Sequence, residues 1–219
     1  MVQRYTLNRN INLHYGDYFN DLPLLPNTGP FSLQYLASIQ KTLDMAIAEH
    51  PRTVAFRVDL RYPKNWKKGF YGDVISRFMA SLKSQIKADL KRKAKKGQRV
   101  HRCTPRIIWV KEQSGKDGWH YHAVILLNKD AYLRLGGFAS PLDNTVNRLR
   151  KAWASALGVS EVVSEGAVSI PDNATYYPEA FGSLERPMYE ALFMRLSYMA
   201  KLRTKVYDGN GRSFGYSIK

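Results

Sequence analysis

Cysteine is almost absent. Cys103 is the only one in 219 residues, so neither an internal disulfide nor a multi-cysteine zinc site can form, and a reducing compartment fits. Long apolar runs are missing as well: the longest, Ala123 to Leu127, falls far short of the ~20 residues that span a bilayer. The opening MVQRYTLNRN has no apolar signal core, so the expected location is the cytoplasm, with no membrane partner. No GxxxxGK[ST] phosphate loop, internal repeat or low-complexity tract occurs, which argues against a built-in NTPase and a repeat architecture. Acid is scarce: 18 Asp and Glu stand against 34 Lys and Arg, a formal net charge of +16. Such a field concentrates phosphates and makes association with a polyanion fast and salt-sensitive.

What is present reads as a folding chain, with 44% hydrophobic and 24% charged residues. Residues 1–30 are turn-rich and read as an extended arm or an irregular packing layer. Leu33, Leu36, Ile39, Leu43 and Ile47 recur at helical spacing up to Pro51, an accessory helix. From Thr53 to Tyr62 the period changes to two, a strand with Ala55, Arg57, Asp59 and Arg61 on a wet face. A turn around Pro63 to Gly69 leads to a long amphipathic helix marked by Ile75, Phe78, Met79, Leu82, Ile86 and Leu90.

Two strands, about 105–113 and 119–127, flank the loop SGKDG, and a helix follows on Leu142, Val146, Leu149, Trp153 and Leu157. Asp143 or Asn144 suits its start and Gly158 its end. A weaker strand at 167–170 precedes a last helix from Arg186 to about Leu202. The order strand, helix, strand, strand, helix, strand predicts an α+β fold with a ferredoxin-like (RRM-like) antiparallel sheet, its helices on one face and the other face available for a site. The expected division is an arm and accessory helix over 1–50, a main domain over 51–205 and a tail over 206–219, in which DGNG suits a final hairpin.

Three features carry chemistry. His120 and His122 are two apart on a strand and so share a face. With SGKDG as the loop, the symmetric register puts Glu112 opposite His120 and Val110 opposite His122, and two imidazoles and a carboxylate converge as ligands for a divalent ion, Mn2+ or Mg2+. A one-residue slip would turn Glu112 away. On the last helix Tyr198 and Lys201 are three apart and lie off the apolar stripe of Leu192, Leu196 and Met199. A phenol attacks only when a metal, a base or a cation favours its anion, and Lys201 can assist. The run Lys87 to Arg102 holds eight basic residues in sixteen. The nucleic-acid candidates are Lys91, Arg92, Lys93, Lys95, Lys96, Arg99 and Arg102 there, Arg57 and Arg61 on the first strand, and Trp119 and Tyr121 as stacking platforms.

Together Glu112, His120-Tyr121-His122 and Tyr198-x-x-Lys201 resemble the motifs of the HUH endonucleases, with FRVDLRYP as a looser first motif. The histidine strand precedes the tyrosine, as in the rolling-circle replication initiators of filamentous phages and mobile elements. The resemblance implies an HUH active site on the open sheet face. It implies sequence-specific nicking and rejoining of single-stranded or origin hairpin DNA, with Tyr198 joined to a 5′ phosphate and a free 3′ hydroxyl released. Met194 and Leu202 stand four residues either side of Tyr198, so a single nucleophile is expected. A homodimer would supply a second one, and helicase and polymerase would be separate proteins. Two rivals remain: a non-catalytic single-stranded DNA or RNA binder, which accounts for the charge but not for the triad, and an iron oxygenase, which accounts for the triad but not for the charge.

Overall fold

The computed structural model describes residues 3–63, 66, 74–114, 118–139, 143–179, 186–205 and 212–218. The arm forms five short strands, β1 (Arg4–Tyr5), β2 (Asn8–His14), β3 (Tyr18–Phe19), β4 (Leu22–Pro23) and β5 (Phe31–Ser32), and leads into helix α1 (Leu33–Glu49). Then come β6 (Thr53–Arg61), α2 (Val74–Lys95), β7 (Arg106–Ser114), β8 (Gly118–Asn128) and α3 (Thr145–Leu157). The chain continues through β9 (Val168–Ser169), β10 (Thr175–Tyr176), α4 (Arg186–Ser197) and β11 (Phe214–Tyr216). The architecture is mixed α+β. Its central sheet runs β10-β6-β8-β7-β11, with β9 also paired to β6, and every pairing is antiparallel. No helix among the described residues is long and apolar enough to cross a membrane.

Strand alternation sends side chains to two cores. On one face Val54, Phe56, Val58 and Leu60 of β6 join Ile107, Trp109, Tyr121, Ala123, Ile125 and Leu127 beneath α2 and α3. Phe78 and Trp153 pack edge to face there, and Trp153 Nε1 donates to the Arg61 carbonyl at 2.7 Å, tying α3 to the end of β6. Asn144 caps α3 by accepting from Asn147 N, and Gly158 ends it in the left-handed conformation at φ 67°, as the sequence suggests. Leu142 and the loop residues 115–117 lie outside the described residues, as do most of the turn after Pro63 and DGNG of the tail.

The second face corrects the expectation of helices on one side only. Ala55, Ile108, Val110, Val124 and Leu126 pack under α1 and α4, through Leu36, Ile39 and Leu43 and through Leu192, Phe193 and Leu196. A strand covered on both faces has no wet side, which is why residues 123–127 read as an unbroken apolar run. Full burial of one such leucine or isoleucine is worth about 1.5–3 kcal/mol, and α1 contributes three, so it is a core layer. Phe214 and Tyr216 of β11 extend this core from the β7 edge. The end of this face near Arg61, His120 and Glu112 is polar.

Helix α4 is shorter than its periodicity predicts. It stops at Ser197, a 3-10 turn covers Tyr198–Ala200, and Lys201 is extended with ψ 144°. The cause is a set of long-range bonds from the arm. Ser197 Oγ donates to the Met194 carbonyl and accepts from Leu25 N at 2.9 Å, Leu202 N donates to the Pro30 carbonyl at 3.0 Å, and Lys201 bridges to Phe31. Partners outside the helix thus replace the i→i−4 ladder.

Candidate metal centre and tyrosine

The hairpin β7–β8 has the register that a symmetric loop predicts: Glu112 faces His120 and Val110 faces His122. The neighbouring ladder adds Asp59 opposite His122 and Arg61 opposite His120. Ligand atoms of Glu112, His120 and His122 all lie within 4.8 Å of one another, a group able to hold a metal ion. The carboxylate and both imidazoles are largely buried, and the two rings stand edge to face at 4.9 Å.

Each ligand is oriented by a partner. His122 Nδ1 lies 2.7 Å from Asp59 Oδ1, so its proton is assigned to that bond and Nε2 is left as the ligand atom. Arg57 Nη2 approaches the same Nδ1 at 3.1 Å and Asp59 Oδ1 at 3.4 Å. With the Nδ1 proton committed, the guanidinium serves the carboxylate. His120 Nδ1 is 3.3 Å from the Gly118 carbonyl, which leaves its Nε2 toward the site. Glu112 Oε1 accepts from Thr204 Oγ1 at 2.7 Å and Lys205 Nζ at 3.0 Å. Among the described residues its Oε2 has only long neighbours: Tyr198 Oη at 3.5 Å, His122 Nε2 at 3.6 Å and Lys201 Nζ at 3.8 Å.

Electrostatics follow from this packing. Burial by itself would raise Glu112, but the Lys205 charge, the Thr204 and Lys205 bonds and the Lys201 charge outweigh it and hold the carboxyl below its usual value. Asp59 is likewise lowered, burial being overcome by the His122 bond and by neighbouring positive charge that includes Arg57 and Arg61. Burial lowers His120 and favours the neutral imidazole that a ligand needs. Burial also presses Lys205 down to about 8, against the pull of Glu112. The Tyr198 phenol is raised, by burial first and the Glu112 charge second, so in these surroundings it holds its proton. An oxygen and two nitrogens, each fixed from behind, form a donor set that suits a divalent ion.

Tyr198 stands over this group, its ring edge to face with His122 at 5.7 Å, and Lys201 Nζ lies 3.3 Å from the centre of the phenol ring. Their proximity comes from the 3-10 turn rather than from one face of an α-helix. The nucleic-acid candidates divide. Arg57 and Arg61 share the triad's face, Arg61 donating to Ser169 Oγ at 2.6 Å. Tyr121 is 1% exposed in the core beneath α2 and α3 and bonded to Tyr62, which removes it as a stacking platform, and Trp119 faces that same side with Lys111 over its ring at 4.2 Å. Alternation requires this of a tyrosine between two histidines that face the other way.

The basic run sits at the opposite end of the sheet, where Arg102 meets Asn128, far along β8 from His120. Within it Lys91, Lys95, Lys96, Arg99 and Arg102 are exposed. Arg92 is committed to Asp89 and Asp143, and Lys93 to Asp89 and the Tyr132 ring. Sequence reasoning missed Asp59, Thr204 and Lys205 as partners of the triad. Only Asp59 left a signal, its place on the same strand face as Arg57 and Arg61.

Residues 16–217 match the family described as the YagK/YfjJ C-terminal domain. The uncharacterized protein YagK of Escherichia coli (strain K12) is 36% identical over 197 residues, covering 86% of this chain and 94% of that protein. The uncharacterized protein YfjJ of the same strain is 31% identical over 193 residues, covering 84% and 93%. Among solved structures, the N-terminal nuclease domain of minute virus of mice non-structural protein 1, described as coordinating Zn2+ in its active-site pocket, aligns with 83% of this chain and 78% of its own at 12% identity. Its TM-score is 0.27, too low to carry an argument. By the family match and the two close relatives, the chain belongs to the YagK/YfjJ C-terminal domain family.

Proposed function

We propose that this protein is a metal-dependent endonuclease of the HUH type that nicks and rejoins single-stranded DNA to initiate rolling-circle replication. The observation that carries this reading is convergence: the Tyr198 hydroxyl comes within 3.5 Å of the carboxylate that groups with His120 and His122. The antiparallel pairing of β9 with β6, β6 with β8 and β8 with β7 supports the same reading, as does the formal charge of +16.

Glu112 Oε2 and the Nε2 atoms of His120 and His122 would hold Mn2+ or Mg2+. Such an ion supplies Lewis-acid polarisation of a phosphodiester oxygen. Tyr198 Oη forms a bond to phosphorus while the bond from phosphorus to the 3′ oxygen breaks. The phenol gives up one proton and the leaving oxygen takes one, so the step is balanced. The products are a 5′-phosphotyrosine and a free 3′ hydroxyl. Lys201 is placed to offset charge on the phenolate, whose own surroundings otherwise favour the neutral phenol. Rejoining is the reverse attack by the 3′ hydroxyl. Unwinding and extension belong to a separate helicase and polymerase, and a second protomer would supply a second tyrosine.

The test is incubation with Mn2+ and a random-sequence single-stranded DNA library. Cleavage to 3′-hydroxyl ends is expected from the unaltered protein and is expected to vanish in Tyr198→Phe and in His120→Ala. Salt-dependent binding without cleavage would favour a non-catalytic DNA or RNA binder. Cleavage undiminished in Tyr198→Phe would move the nucleophile elsewhere.

A further inference from the structure

The triad has one carboxylate, and that carboxylate is already neutralised. Lys205 Nζ donates to Oε1 at 3.0 Å and Lys201 Nζ lies 3.8 Å from Oε2. Neither ammonium is a surface charge free to swing away, for the Lys205 side chain is 0% exposed and that of Lys201 8%. Asp59, the other acid beside the site, is matched by Arg57 at 3.4 Å. With both imidazoles in the neutral form that metal ligation requires, Lys201, Lys205, Arg57 and Arg61, the last standing opposite His120 on the same face, give four positive charges against the two negative ones of Glu112 and Asp59. The pocket therefore stands at +2 before any ion enters. A dication would take it to +4 in surroundings where salt screens poorly. One phosphodiester restores a negative charge and offers an oxygen to the ion.

We propose that the divalent ion and the DNA phosphodiester bind this site cooperatively, because Lys201 and Lys205 hold cation affinity low until a phosphate is in place. The inference rests on the metal-dependent reading above and adds an order to it: the site loads together with its substrate. Linkage makes the effect reciprocal, so the ion tightens DNA by the same factor by which DNA tightens the ion. Thr204 and Lys205 also fix Glu112 from behind, so Lys201, which makes no hydrogen bond to the carboxylate, is the cleaner probe of charge.

The measurement is a calorimetric Mn2+ titration of Tyr198→Phe, which cannot turn over, with and without a saturating pool of random single-stranded 20-mers. Ions bound by DNA alone are subtracted with the Tyr198→Phe/His120→Ala/His122→Ala protein. DNA is expected to tighten Mn2+ at least tenfold, and Mn2+ to tighten DNA equally in a fluorescence anisotropy titration. Adding Lys201→Met is expected to raise Mn2+ affinity several-fold without DNA and to shrink the coupling. Equal Mn2+ affinity with and without DNA would overturn the proposal and leave the metal site standing, as would a Lys201→Met protein with affinity and coupling both unchanged. Mn2+ binding no greater than that of the double-histidine variant, with or without DNA, would remove the metal site and the proposal together.

Discussion

Replacing Asp59 with alanine removes the acceptor that holds the His122 ring. The bond from His122 Nδ1 is 2.7 Å long, and both side chains are about nine-tenths buried, so water replaces it poorly. Without it the ring can take the other tautomer or rotate, and Nε2 is no longer committed to the site. Loss of such a supporting partner typically costs 10–100-fold in metal affinity, about 1.4–2.8 kcal/mol. Alanine also strips Arg57 of its only carboxylate partner among the described residues, which puts Asp59→Ala at the upper end of that range. Asp59→Asn keeps an acceptor oxygen and loses only the charge, so about tenfold is expected. The assay is Mn2+ titration in the Tyr198→Phe background with saturating single-stranded DNA, on variants whose circular dichroism matches the parent. Parent-like Mn2+ affinity in Asp59→Ala would refute the orienting role of Asp59.

Three further outcomes are expected. Asp89, buried between α2 and α3, has its pKa lowered: burial would raise it, and the bonds of Lys93 and Tyr132 with the Arg148 charge overcome that. Its stabilisation is therefore complete above the unfolded carboxyl value of about 3.9 and is lost as pH falls through the lower folded value. Thermal melts between pH 6 and 2.5 should show Asp89→Asn less stable at pH 6 and flatter below about pH 4, and equal slopes would contradict this. In Gly215→Val, the new Cβ would meet the Trp109 indole at 2.5 Å and push β11 off the β7 edge, a loss of about 1–3 kcal/mol in denaturant unfolding; an unshifted midpoint would count against the close contact. Charge reversal at Lys91, Lys95 and Lys96 should weaken DNA binding most at low salt while leaving Mn2+ affinity unchanged, because this patch lies at the far end of the sheet from the triad.

Much of the site is legible because it is local. The Glu112 to His120 register follows from one short loop and the period of a strand, and the caps of α3 from Asn144 and Gly158. What escapes the sequence depends on distant partners. Asp59 meets His122 only because β6 pairs with β8, strands separated by a helix and another strand, and no turn fixes that register. Thr204 and Lys205 reach Glu112 because Leu25, Pro30 and Phe31 end α4 at Ser197, whereas the apolar spacing of Leu192, Leu196 and Met199 runs on without a break. Covering of the second face by α1 was half visible, since an uninterrupted apolar run is poor material for a strand with one wet side. The burial of Tyr121 was legible too, for the alternation that joins His120 to His122 sends the residue between them to the other core.

The most direct measurement is peptide mass spectrometry after reaction with Mn2+ and single-stranded DNA followed by nuclease trimming. The account expects a nucleotide 5′-phosphate attached to the peptide containing Tyr198, with fragment ions placing it on that phenol. Cleaved strands accompanied by an unmodified Tyr198 peptide, or by a nucleotide on any of the other tyrosines, would contradict it.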